Sequence, residues 1–152
     1  MKTRNMRTAL IDWITSLNAT HSLTLNTDRE LSLTRMKSIF GTFCHNVDRL
    51  IFDCENVKRM PSCQRFQAIA FPEHLETNAH LHVCADLSGL IPKFGTEDEL
   101  NARLEKIWLK ATRDAGSVHA VKITDRGAVR YAAKAANLHD PVFFLAAEFH
   151  PR

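Results

Sequence analysis

The stretch AHLHVC, residues 79–84, sets two histidines two positions apart. Side chains alternate between the faces of an extended strand, so His80 and His82 point one way and Leu81 points into a core behind them. Two imidazoles this close can each direct a nitrogen at a single divalent ion. A further ligand is needed, and FPEHLETN (71–78) offers two candidates, Glu73 and His74. A hairpin turn centred between Thr77 and Asn78 places Glu73 opposite His82 and on its face, with His74 opposite Leu81 on the other. A three-residue turn moves the pairing by one and brings His74 opposite His80 instead. Glu73 is preferred, because two histidines and a carboxylate suit Mg2+ or Mn2+ that keeps several waters for phosphate oxygens to displace. Cys84 shares the histidines' parity but lies a further two-residue step along, where a small buried residue is the better fit.

A second stretch, YAAK (131–134), contains the single tyrosine of the chain. The i,i+3 spacing of Tyr131 and Lys134 puts both on one helical face. A phenol with a pKa near 10 is a poor nucleophile until a cation or base assists it. A lysine one turn away can steady the phenolate, or the charge that builds on phosphoryl oxygens. The flanking alanines 132, 133, 135 and 136 are small, so this helix can lie close to a sheet. Each pattern also has an ordinary reading: solvated histidines on a half-exposed strand, an interfacial tyrosine, a surface lysine. Neither is specific alone.

The elements that must carry these residues follow from periodicity. TALIDWITSL (8–17) reads as a short helix, and HSLTLN (21–26) alternates as a strand with one buried face. Leu33, Met36, Phe40, Phe43, Val47 and Leu50 recur every three or four positions, an amphipathic helix over 33–51. Strands are expected at 63–71, limited by Pro72, and at 79–87. A helix is expected over 96–116, opened by Thr96 with Glu99 and closed by Gly116. SVHAVKIT (117–124) is a strand, GAVRYAAKAANL (127–138) an alanine-rich helix, and 141–149 a strand or a last helical turn or two. This β-α-β-β-α-β-α order predicts an α+β, ferredoxin-like antiparallel sheet with helices packed on one face.

At 152 residues the chain is one domain by size, 1–152, with neither repeats nor low-complexity segments. Apolar residues make up 45% and charged residues 24%, as in soluble globular proteins. A formal charge of +3 tolerates a polyanionic partner without demanding one. The four cysteines show no CxxC spacing, and Asp12 interrupts the only signal-like start, so a reduced cytoplasmic compartment is expected. No apolar run approaches the roughly 20 residues that span a membrane.

Taken in order, these motifs resemble those of the HUH endonucleases, in particular rolling-circle replication initiators (Rep proteins) of small plasmids and phages. The first motif is a strand of the HSLTLN type, the second is His80-Leu81-His82, and the third is the helix carrying Tyr131 and Lys134. The resemblance covers about residues 19–138, including a strand like VHAVKI (118–123) and a helix bearing Trp108. It implies that the histidines and an acidic or polar neighbour hold Mg2+ or Mn2+. It also implies that Tyr131 attacks a phosphodiester of single-stranded or hairpin DNA to leave a 5′-phosphotyrosine and a free 3′-hydroxyl. Rolling-circle replication would begin from that nick, with a host helicase as a further partner. The chain departs from the pattern in three ways. Ala135 and Ala136 follow where many relatives have an aromatic, a second tyrosine is lacking, and no helicase follows. The alternative is a non-catalytic ferredoxin-like nucleic-acid-binding protein or a decayed prophage initiator, for which the surface is not densely basic outside MKTRNMR. A phosphohydrolase acting on small substrates ranks last, as there is no Gly-rich phosphate cradle.

Overall fold

Alternation of apolar and polar residues decides which side of a half-buried strand faces the core, and HSLTLN (21–26) carries it most clearly. The computed structural model describes residues 8–9, 11–12, 14–16, 18–53, 57, 60–125 and 142–150. The fold is α+β. Its five-stranded antiparallel sheet runs β4-β1-β3-β2-β5, from β1 (His21–Asn26), β2 (Gln67–Glu73), β3 (His80–Asp86), β4 (Ser117–Lys122) and β5 (Phe144–Leu145). Helix α1 (Leu33–Phe52) follows β1, and α2 (Glu97–Thr112) follows β3.

Leu23, Leu25, Ala70, Leu81, Val83 and Val118 turn to one face of the sheet, where they meet Met36, Phe40, Phe43 and Val47 of α1 and Leu100, Leu104 and Trp108 of α2. Phe43 stands at the join between the helices, its ring edge-on to Trp108 with centroids 5.7 Å apart. Trp108 is wholly buried, and its Nε1–H donates to the Asn26 carbonyl at 2.6 Å, tying α2 to the end of β1. The opposite face is not bare. Ile69, Phe71 and Cys84 form a smaller cluster there with Ile11 and Ile14, which belong to helical residues ahead of β1. Helical cover is therefore not confined to one face, because β2 turns its alanines, Ala68 and Ala70, to the two long helices and its large side chains, Ile69 and Phe71, to the other side.

Both long helices open on a hydroxyl: Ser32 accepts from Arg35 N–H at 3.1 Å, and Thr96 from Glu99 N–H at 3.1 Å. The Glu99 carboxylate reaches back to Gly95 N–H at 2.9 Å, one residue beyond the usual capping box. Helix α2 stops at Thr112 rather than at Gly116, since Arg113 and Asp114 already take left-handed φ values of 59° and 63°. Gly116 serves a different purpose. Its φ is +99°, and a Cβ there would lie 1.8 Å from the Asn26 carbonyl oxygen, so only glycine lets the chain enter β4 hard against β1.

Strand β2 starts at Gln67, after a 3-10 turn at Ser62–Gln64, and it runs through Pro72 instead of ending before it. Strand β5 pairs only with Ile69 and Ala70, so the end of β2 is a sheet edge, where a missing N–H breaks no ladder. The C-terminal stretch left open between strand and helix uses both, as β5 and a 3-10 turn over Ala146–Phe149. The helix expected over 127–138 lies outside the described residues. No helix among the described residues is long and apolar enough to cross a membrane.

Candidate metal centre

Strand β3 lies between β1 and β2, so its register sets the site. His80 pairs with Asn26 on one side and Glu73 on the other; His82 pairs with Thr24 and Phe71. Glu73 thus faces His80, not His82 as the tight-turn reading expected. The connection from Glu73 to His80 spans residues 74–79, and His74 bends it with a φ of 51° while its carbonyl accepts from Thr77 N–H at 3.1 Å. This slides the pairing by two residues. Because the slip is even, Glu73 keeps to the histidine face. His74 falls beyond the ladder, opposite neither His80 nor Leu81.

One carboxylate oxygen meets both rings. Glu73 Oε2 stands 2.6 Å from His82 Nε2 and 3.1 Å from His80 Nε2. The other oxygen, Oε1, is 3.3 Å from His74 Nε2. The His80 and His82 rings lie edge to face at 5.0 Å, and the His74 ring is 5.5 Å from that of His80. Ligand atoms of Glu73, His80 and His82 all fall within 4.8 Å of one another, a set that could hold a metal ion. Glu73 is 34% exposed, so the cluster is reached from solvent at the carboxylate.

The far side of His80 determines what its near side can do. Nδ1 lies 2.9 Å from the Asn78 carbonyl, which only accepts, so Nδ1 carries the proton. In the neutral ring Nε2 then presents a lone pair, and it presents it to an anionic oxygen 3.1 Å away. Two acceptors facing each other need a cation between them, either a proton on the ring or a metal ion. A ring nitrogen oriented through its partner N–H in this way is the usual arrangement of a metal-binding histidine. Ligands set about 2.1 Å from an octahedral ion stand about 3.0 Å apart, so the observed spacings need to open by only a few tenths of an ångström.

Burial works against the charge on Glu73. Hydrogen bonds from His82 and His80, with the charge those rings carry when protonated, outweigh it and hold the carboxyl below its ordinary value. Cys84 shares this face but is buried, and burial pushes its thiol up to about 12. It remains a protonated core residue, unsuited to ligation.

No family model, no curated protein and no solved structure matches this chain. The candidate metal site accordingly stands on its own geometry. Tyr131 and Lys134 lie outside the described residues. Register also brings polar residues that the motifs do not single out onto the same face: Thr24 and Asn26 from β1, His119 and Ser117 from β4. Alternation within HSLTLN and SVHAVK carries that signal. The Asn78 carbonyl, a backbone group in a loop, has none.

Proposed function

We propose that the chain is a metal-dependent nickase and joinase of single-stranded DNA, of the HUH type and built on a ferredoxin-like sheet. The carrying observation is the single Glu73 oxygen between two imidazole nitrogens, one of which has its proton fixed on the far side. The strand order β4-β1-β3-β2, with helices after β1 and β3, supports the ferredoxin-like reading. Glu73, His80 and His82 would hold the ion. Mg2+ or Mn2+ at such a site polarises a phosphodiester and offsets its charge.

The chemistry assigned to this chain's own residues balances simply. Tyr131 Oη forms a bond to phosphorus as the bond to the 3′ oxygen breaks. The phenolic proton passes to water, and the departing 3′ oxygen takes one up. A 5′-phosphotyrosine results, and attack by a later 3′-hydroxyl reverses the step and reseals the strand. Lys134 steadies the charge that gathers on the phosphoryl oxygens. In the replication role that the motif resemblance implies, this nick starts rolling-circle synthesis, with a host helicase opening the duplex.

The test is incubation with an end-labelled pool of single-stranded and hairpin oligonucleotides and Mn2+, followed by a denaturing gel and mass spectrometry. Wild type should form a Mn2+-dependent adduct on Tyr131. Y131F should form none while still binding metal, and K134A should form it more slowly. An adduct mapping to any other residue would refute the assignment. Oligonucleotide binding with no adduct from any pool would favour the non-catalytic nucleic-acid-binding alternative.

A further inference from the structure

On the far side of the helices from the sheet, α1 and α2 enclose an open cleft of about 370 Å³. Its lining holds Arg49 from α1 and Arg103, Lys106 and Lys110 from α2, against one carboxylate, Asp53. Asp53 is itself engaged by Lys93 Nζ at 3.0 Å. Among the described residues, Arg103, Lys106 and Lys110 have no carboxylate partner, and all three are exposed. Leu50 and Ile107 give the cleft an aliphatic lining between these charges.

Stability does not account for this arrangement. Arg103 and Lys106 are spaced i,i+3, and Lys106 and Lys110 i,i+4, where like charges on a helix repel. The macrodipole favours cations only in the last turn, and among these three only Lys110 lies there. Repulsion of this kind is relieved by an anion. From Arg103 to Lys110 the row extends about 10 Å along the helix, which matches about three phosphates of a strand at 3.4 Å each.

We infer that this cleft is a second, metal-independent binding surface that grips the phosphodiester backbone of a nucleic-acid strand. The inference takes its partner from the function proposed above, but none of that function's chemistry. The cleft lies behind the helices and the metal ligands lie on the opposite face of the sheet, so the two surfaces engage separate stretches of nucleic acid. Neither Glu73 nor the histidines contribute to it.

The test is fluorescence anisotropy with a labelled single-stranded 20-mer, in chelator, across a salt series. Wild type should bind, and R103E/K106E/K110E should bind more than tenfold more weakly at low salt. Its slope of log affinity against log salt should fall by about 2, at roughly 0.7 for each phosphate no longer neutralised. R103Q/K106Q/K110Q, with its fold checked by circular dichroism, should show a smaller loss in the same direction. H80A/H82A should match wild type here, even where it abolishes nicking, so failure of the cleft and failure of the metal centre are told apart. The inference is overturned if wild type does not bind at low salt, or if both triple variants keep wild-type affinity and slope. Complete competition by millimolar inorganic phosphate would reassign the cleft to small anions. Competition by polyglutamate of equal charge, as effective as the oligonucleotide, would reassign it to acidic proteins.

Discussion

Replacing Glu73 by glutamine separates a cation seat from a hydrogen-bonded cluster, because the two respond in opposite directions. The amide keeps the shape of the carboxylate but gives up its charge. Without metal at pH 8, an amide nitrogen in the place of Oε2 can donate its two N–H groups to the Nε2 lone pairs of His80 and His82, whereas the carboxylate can only accept there, from a His82 Nε2–H. Stability of metal-free E73Q should therefore equal or exceed that of wild type by up to about 1 kcal/mol, the net worth of one hydrogen bond. Metal affinity should move the other way. Removing an outer partner of a metal ligand costs 10–100-fold, and loss of an anionic ligand should exceed that, so at least ~100-fold is expected, or about 2.7 kcal/mol.

Calorimetric titration of Mn2+ reads the affinity, and thermal melts with and without Mn2+ read the stability. At 100 times its dissociation constant the ion should add about 2.7 kcal/mol to wild type and almost nothing to E73Q. H74A is the control. Its ring is 62% exposed and meets the carboxylate only at the outer oxygen, so its loss should stay near tenfold or below. The reasoning is refuted if E73Q binds Mn2+ within about threefold of wild type. It also fails if metal-free E73Q is clearly destabilised at pH 8, which would show an imidazolium–carboxylate pair in place of a cation seat.

The depressed carboxyl of Glu73 predicts an acid limb for the metal-free protein. A carboxyl held below its unfolded value near 4.5 stabilises the fold above that pH, and the contribution is lost as pH falls through the folded value. Urea unfolding at stepped pH should show wild type losing ground to E73Q below about pH 4.5, and parallel profiles would contradict it. G116A should destabilise by about 2–4 kcal/mol, because it combines a positive φ with a Cβ driven into the Asn26 carbonyl. That carbonyl also accepts the Trp108 N–H, so tryptophan fluorescence should shift with the urea midpoint, and a loss under about 0.5 kcal/mol would refute the close approach.

What the sequence made legible was whatever depends on parity and period. Residues 21–26 alternate and form β1 at those bounds, and the 3.6-residue recurrence of Met36, Phe40, Phe43 and Val47 marks the buried stripe of α1. The shared face of His80, His82 and Glu73 needs only alternation, and it survives an even slip of register. Their pairing was not legible, because loop length is set by the left-handed turn at His74, and nothing but the tertiary environment selects that conformation. The start of β2 was misplaced for a related reason. CQRF resembles a strand in composition, yet Asp48 accepts from Phe66 N–H at 2.7 Å and pairs with Arg65 at 2.9 Å, pinning the entry to β2 against α1. Such a buried long-range pair leaves no local pattern.

The three ligand candidates are not held alike, and the difference bears on how an ion enters. His80 and His82 lie on a strand bonded on both sides, to β1 and to β2, so their rings are fixed by the middle of the sheet. Glu73 is the last residue of β2, past the point where β5 stops pairing and next to the bend at His74. A carboxylate at a free edge can give way by a few tenths of an ångström at little cost, whereas the central strand cannot. Seating an ion between Oε2 and the two Nε2 atoms requires a displacement of that size. The two imidazoles of the central strand would then set where an ion is held, and the edge carboxylate would adjust to it. Ions of slightly different radius should therefore be accommodated by movement of Glu73 alone, while the histidine pair keeps its 5.0 Å ring separation.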